Sequence, residues 1–298
     1  MRFCRRRFIA RGKRMKKYGS ALAAWLMLWI PLAAGGAPVS RAPLEIGVLP
    51  HLSPRAMVNS YRPLQRYMEE RLKRPVLIVT APNFRRFVER TLRQVYPVVI
   101  TAPHFGRLAQ RDAGYIPMLI GARRLNGVLV AAKGGAIRRI GDLAGKSVAT
   151  PDPLALMTML GKTLLRAHGL APGRDVMLRH YLTHTSAALS VLRGENAAAI
   201  IGHVSFDRLP AETRRRLRVV ATTIKVPHMQ YMASPALPPR EVARLRRIML
   251  DFVEKTSQGR AFMKRFGDAG GWRRPTQREL ATLDPYAREV RTLLKAAP

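Results

Sequence analysis

Apolar and polar positions follow two rhythms along this chain, and the rhythms take turns from Leu44 onward. Leu44 to Leu49 is a short apolar run stopped by Pro50, the length of a buried strand. Leu64, Tyr67, Met68 and Leu72 then recur at helical spacing, on one face. Val76 to Val79 is strand-like and ends in Thr80-Ala81-Pro82-Asn83, before an amphipathic helix marked by Phe84, Phe87, Val88 and Leu92. Val98 to Ile100 predicts a strand, and Thr101-Ala102-Pro103-His104 leads into a helix over Phe105 to Arg111. The second half repeats the scheme. Ser147 to Ala149 is a strand, followed by Thr150-Pro151-Asp152-Pro153 and a long helix from Leu154 to about His168. Met177 to Tyr181 is strand-like, and Thr183-His184-Thr185-Ser186 starts a helix carrying Ala188, Leu189, Val191 and Leu192. Ala198 to Ile201 is a strand, and Gly202-His203-Val204-Ser205 opens a short helix. The Thr, Ser, Asn and Asp of these loops suit helix N-caps. Repeated strand, loop and helix units predict an α/β protein with largely parallel sheets.

Two stretches break the scheme. Tyr115 to Ile120 and Gly127 to Ala132 are strands with no helix between them, as are Val219 to Thr222 and Met229 to Ala233. Such pairs can carry the chain into a second lobe and back. Beyond Pro239 the tail reads as helical, with Val242, Leu245, Met249 and Phe252 on one face, until Gly270-Gly271 interrupts it before a last helix from about Thr276.

The first 36 residues have another texture. Met1 to Lys17 hold nine Lys or Arg and no acid, Ala21 to Ala34 is apolar except for Pro31, and small residues cluster at 33–37. That order is the anatomy of a secretory signal peptide, with cleavage expected after Gly36; an uncleaved short anchor is the alternative. Met15-Lys16-Lys17-Tyr18-Gly19 is itself a compact positive start, so Met15 is a candidate initiation site. The chain has 298 residues and a net charge of +35; without those nine cations it keeps +26. The one Cys, Cys4, precedes the cut, so no intrachain disulfide forms and no cysteine nucleophile survives export. At 47% hydrophobic residues the chain has enough apolar mass for a core.

Certain residues carry a family likeness. Leu44-Glu45-Ile46-Gly47-Val48-Leu49-Pro50 opens the mature chain, followed by Pro63-Leu64 and Tyr67-Met68-Glu69-Glu70-Arg71-Leu72. Asp142-Leu143-Ala144-Gly145-Lys146-Ser147-Val148-Ala149 comes later, with Asp152-Pro153 just after. In that order they resemble the periplasmic phosphate/phosphite/phosphonate-binding proteins of ABC transporters, over nearly the whole mature chain. The resemblance implies a two-lobed type II periplasmic binding protein fold with mixed, mainly parallel sheets and a double hinge. Placed on this sequence, lobe one is residues 38–133 plus 223–298 and lobe two is 134–222. The hinges are expected near Ala132-Lys133-Gly134-Gly135 and Thr222-Thr223-Ile224-Lys225. One departure matters. The family carries a Ser-Thr-Ser-Gly-like run after Asp-Pro, whereas here Asp152-Pro153 is followed by Leu154-Ala155-Leu156-Met157, with only Thr158 nearby. These apolar residues either meet an apolar part of the ligand or are simply core. A Ser-Tyr pair expected around Pro103-His104-Phe105 is missing as well.

Physical chemistry points to an anion site without the family. Parallel strands deliver their loops to one sheet edge, and each following helix aims free N–H groups and a partial positive charge there. The candidate wall is therefore His51 and Ser53, Thr80 and Asn83, Thr101 and His104, then Thr150, Asp152, His184, Thr185, Ser186, His203 and Ser205. For each, a helix cap or loop contact competes with a ligand contact. The leading ligand-binding set is His51, Thr80, Thr101, His104, Asp152, His184, Thr185, Ser186 and His203. Four loop histidines raise the question of a metal, but no His-x-x-x-His spacing or carboxylate cluster supports one, and no cofactor is expected.

Catalytic and nucleic-acid motifs fail. Gly161-Lys162-Thr163 and Gly145-Lys146-Ser147 lack the leading Gly of a phosphate loop, since Leu156 and Ile140 stand there, and no Gly-x-Ser-x-Gly elbow exists. Arginines are scattered, as in Arg85-Arg86, Arg123-Arg124, Arg214-Arg215-Arg216 and Arg246-Arg247, which reads as a solvated face without nucleic-acid binding. The expectation is a monomeric, non-enzymatic, periplasmic solute-binding protein. It takes a small anionic ligand and serves an ABC permease in the inner membrane. The rival readings are a sensor of the same fold signalling to a membrane receptor or kinase, and an enzyme on this scaffold.

Overall fold

The computed structural model describes residues 42–296, so the expected signal segment and its cleavage point lie outside the described residues. In chain order, β1 (Leu44–Val48), α1 (Pro54–Leu72), β2 (Val76–Val79), α2 (Phe84–Leu92), β3 (Val98–Thr101), α3 (Pro103–Ala113) and β4 (Ile116–Gly121) come first. Next are β5 (Gly127–Ala132), a 3-10 helix at Ile140–Leu143, β6 (Lys146–Thr150), α4 (Leu156–Ala167), β7 (Val176–His180), α5 (His184–Leu192) and β8 (Ala198–Gly202). Two short helices, α6 (His203–Asp207) and α7 (Ala211–Arg215), precede β9 (Leu217–Thr222). The chain continues through β10 (Gln230–Ala233), α8 (Pro239–Lys255), α9 (Ser257–Arg265), β11 (Trp272–Arg273), α10 (Gln277–Ala281) and α11 (Asp284–Lys295).

The strands form two sheets, a six-stranded one in the order β11-β4-β10-β3-β1-β2 and a five-stranded one in the order β7-β6-β8-β5-β9. Each has a parallel centre, β2-β1-β3 and β7-β6-β8, built from the strand–loop–helix units. Each is extended by antiparallel strands, β10, β4 and β11 in one and β5 and β9 in the other. Antiparallel pairing is therefore more extensive than the alternation of elements suggests.

Period-two alternation fills the layers. Leu129 and Ala131 of β5 face the core that holds Leu143, Leu165 and Ile200, while Val128 and Val130 face Ala188, Val191 and Ile201. In the larger sheet, Leu44, Ile46 and Val48 pack on Tyr61, Leu64 and Met68 of α1 and on Met249 and Phe252 of α8. Helix α1 starts at Pro54, well before Leu64, the first residue of the helical pattern read from the sequence, because Met57 and Tyr61 share its buried face. Pro54 suits the first turn, where no intrahelical N–H bond is lost. The expected single helix after Pro239 is two. Thr256 is extended and caps α9, its Oγ1 accepting the Gly259 N–H at 2.8 Å. A Cβ on Gly259 would collide with the Phe252 carbonyl oxygen, so only glycine allows this corner.

One expected boundary moves. β5 pairs on both sides, with β8 and β9, so it belongs to the five-stranded sheet and not to the first lobe. The chain passes between sheets at 122–126, not at Ala132-Lys133-Gly134-Gly135. Lys133 N–H is instead tied to Arg216 O at 2.8 Å, on the β9 side. The return passage spans 223–229, between β9 and β10. The two passages are bonded to each other: Leu125 N–H donates to Val226 O at 2.9 Å and Val226 N–H to Leu125 O at 2.8 Å.

Candidate functional site

The carboxyl ends of β1, β2 and β3 present their loops toward those of β6, β7 and β8, and side chains from the two groups touch. His104, at the second position of α3, is 0% exposed and donates Nε2–H to Leu154 O at 2.8 Å, a bond across the seam between the sheets. Burial pushes its imidazole down to about 4, against the opposing effect of the Leu154 carbonyl. The bond assigns the proton to Nε2 and leaves Nδ1 as an acceptor. Nδ1 has no partner, and neither has Thr101 Oγ1 or Gln230 Oε1. Thr101 and Gln230 face each other across β3 and β10. Gln230 Nε2 is committed to Pro103 O at 2.8 Å, so its orphaned oxygen also accepts. Buried acceptors of this kind call for an O–H or N–H donor, from water or a ligand.

His51 and His184 approach from opposite sheets. The His51 ring is held by Leu49, Nδ1 lying 2.8 Å from its carbonyl oxygen, and tilts toward Phe266 at 6.1 Å. Burial lowers its proton affinity, the Leu49 carbonyl opposes this, and Arg208 adds to the lowering. Burial pushes His184 down to about 4, helped by the repulsion that a charge on His51 would exert. His184 Nδ1 accepts the Gly202 N–H at 3.3 Å. His203 is anchored on the first passage: its N–H donates to Asn126 O at 3.0 Å, and the Asn126 N–H reaches its Nδ1 at 3.3 Å.

The other expected contacts are occupied by structural tasks. Thr80 donates to Val48 O at 2.7 Å, tying the ends of β1 and β2. Asn83 caps α2 through the Arg86 N–H at 2.9 Å. Asp152 Oδ1 accepts the Leu154 N–H at 2.7 Å, and Thr158 donates to Asp152 O at 3.0 Å, so the Asp-Pro corner is self-satisfied. Thr150 Oγ1 lies 2.8 Å from His180 Nδ1. Ser186 forms a reciprocal capping box with Thr183 on α5, and Thr185 is exposed there. Ser53 precedes α1 without a side-chain cap bond. Leu154, Ala155, Leu156 and Met157 are core: each is under a tenth exposed, and the three larger side chains share a cluster with Phe87, Phe105 and Leu108.

Sequence reading missed a buried pair beside the passages. Asp268 is 1% exposed, accepts the Arg123 N–H at 2.9 Å and lies 3.8 Å from His228 Nδ1. Burial pushes Asp268 up to about 6 and His228 down to about 4. With only 18 acids in the chain, an Asp before Gly270-Gly271 was the one available signal. Among the described residues no group of three or more His, Cys, Asp or Glu is placed to hold a metal ion, and no helix is long and apolar enough to cross a membrane.

Residues 46–280 match the family model described as ABC transporter, phosphonate, periplasmic substrate-binding protein. No curated protein matches the sequence. Solved structures share the fold. A Xanthomonas citri protein bound to ATP is 20% identical, with a TM-score of 0.71 over 84% of this chain and 98% of that one. A Prochlorococcus marinus protein in complex with methylphosphonate is 12% identical, with a TM-score of 0.73 over 84% and 98%. A binding protein component of a phosphonate ABC transporter from Pseudomonas aeruginosa is 14% identical, with a TM-score of 0.72 over 85% and 89%.

Proposed function

We propose, from the premise that this chain belongs to the periplasmic substrate-binding protein family of phosphonate ABC transporters, that it captures a small anionic solute between its two sheets in the periplasm and delivers it to an inner-membrane permease. The observation that carries this reading is the meeting of loop ends from both sheets, with His104 bonded to Leu154 O at 2.8 Å and His51 opposed to His184. A solute held there touches both bodies and favours their approach. The family is one of solute-binding proteins, and the reading is capture without turnover. The moving bodies are residues 42–121 with 230–296, and residues 127–222; the bonded passages between them are the hinge. ATP and methylphosphonate, named for two structural neighbours, both carry phosphorus oxyanions, which supports the ligand class.

Simple phosphonates are expected to bind weakly. The residues after Asp152-Pro153 offer backbone N–H groups but no hydroxyls, and each lost contact to a charged oxygen costs about 1.5–3 kcal/mol. His184, whose Nδ1 accepts the Gly202 N–H and whose proton therefore sits on Nε2, and the exposed Thr185 are the leading contacts; His104 Nδ1 pairs only with a protonated ligand oxygen, and Ser186 stays in the α5 capping box. Calorimetry against phosphate, phosphite and 2-aminoethylphosphonate tests this, with Kd values expected above about 1 μM, or roughly −8 kcal/mol. Submicromolar binding would show that backbone N–H groups suffice. No heat with any of the three, or with ATP, would remove phosphorus oxyanions as the ligand class.

A further inference from the structure

A shallow cavity of about 470 Å³ opens beside His51, and its lining includes Leu52, Ser60, Arg208, Lys264, Arg265 and Phe266. Its cations come from two bodies. Arg208 follows α6 on the five-stranded-sheet side, whereas Lys264 and Arg265 end α9, whose Phe262 and Met263 are rooted in the core of the six-stranded sheet. No carboxylate lines the cavity, and burial and Arg265 both press Arg208 below its ordinary value. Converging like charges repel, so an empty cavity disfavours this close approach. A dianion between them reverses the sign of that interaction. The floor is apolar and aromatic: Phe266 packs on Tyr61 at 5.1 Å and on Phe262 at 4.7 Å, with the Ser60 hydroxyl beside it. The backbone on this side is also tight, because a Cβ on Gly267 would come within 2.7 Å of Val204 on α6.

We propose that this cavity is a second anion site, which takes a phosphate monoester: the phosphoryl dianion between Arg208 and the Lys264–Arg265 pair, the organic body on Leu52 and Phe266. Guanidinium groups suit phosphate through parallel N–H donors, and burial of an apolar body adds to what bare phosphate gains. Because the cations belong to different bodies, an occupant draws these bodies together. The cavity adjoins the seam at the β1–α1 loop, where Leu52 follows His51, but its cations Arg208, Lys264 and Arg265 are its own, and its test uses a different probe and variants of those cations. Failure of phosphonate capture therefore leaves its outcome intact.

The probe is phenyl phosphate, with inorganic phosphate alongside, titrated into the mature protein by calorimetry. Phenyl phosphate should bind more tightly than inorganic phosphate. Arg208→Gln, and separately the Lys264→Gln/Arg265→Gln double variant, should each weaken it by at least about tenfold, the effect of one charge-assisted hydrogen bond. These side chains are exposed, so folding should persist, and circular dichroism checks it. Arg247→Gln, an exposed change on α8, should leave phenyl phosphate binding unchanged. Absence of binding, equal affinity for both probes, or equal losses in the Arg208→Gln and Arg247→Gln variants would each overturn the proposal.

Discussion

The buried imidazole of His104 ties protonation to folding. In an unfolded chain histidine titrates near 6.5, whereas in the folded chain burial pushes His104 down to about 4. Between those values the unfolded state binds the extra proton and the folded state does not, so stability falls as the pH drops through this window. At about 1.4 kcal/mol per unit, the loss from this one residue is on the order of 3 kcal/mol, as an upper bound. His104→Gln keeps an N–H donor for Leu154 O and removes the titration. Urea denaturation at pH 7, 6, 5 and 4.5 should give the variant a shallower decline than the parent; parallel curves would mean that His104 does not carry the effect. Residue identity made the placement of part of the candidate site legible. Post-strand loops selected His51, His104, His184 and His203, all of which the structure places at the seam or on the first passage. The same rule selected Thr80, Asp152 and Ser186, whose side chains bond within their own loops or to the next strand. Sequence does not distinguish the two cases, because a side chain that caps a helix and one that reaches across a seam occupy the same position. Asp268 was illegible for another reason: it follows no strand of the parallel centres and meets Arg123 and His228 through tertiary approach alone.

Helix α4 shows how an element can keep its place while its first turn changes task. The strand β6, the Asp-Pro corner and the helix stand where the hydrophobic pattern predicts them. The residues just after the corner pack inward, with Leu156 5% and Met157 7% exposed against Phe105 and Leu108 of α3. Lys162 of α4 also reaches Glu289 of α11 at 3.1 Å. The helix thereby belongs to a core that joins the two sheets. Leu156→Ala should cost about 2–4 kcal/mol in urea denaturation, as truncation of a packed leucine does. A change under about 0.5 kcal/mol would mean that the side chain waits for a ligand's apolar part. Element boundaries were least legible where backbone geometry decides them. The corner between α8 and α9 depends on the absence of a Cβ at Gly259, and the sheet membership of β5 depends on pairing partners distant in sequence.

At the scale of the molecule, the two-sheet architecture and its two passages were legible from the paired strands without intervening helices, while the first passage was misplaced by one strand. That difference changes the mechanics. A hinge at 132–135 would have cut β5 from its partners, at the expense of its ladder bonds with β8 and β9. A hinge at 122–126 and 223–229 leaves every ladder intact and confines rotation to short segments joined by the Leu125–Val226 bonds. Asp268, holding the Arg123 N–H beside His228, stiffens the first segment. The residues after the expected cleavage point carry +26, and like charge spread over two bodies favours their separation until an anion lies between them. Small-angle scattering should therefore record a smaller radius of gyration once the tightest-binding anion of the calorimetric panel saturates the protein. The contraction should be reached at lower ligand concentration in 20 mM than in 300 mM salt, because screening weakens the attraction of the anion for the net positive protein (Debye length about 10 Å at 0.1 M). A radius unchanged at saturation in both salts would show two sheets held as one rigid body and would end the hinge reading.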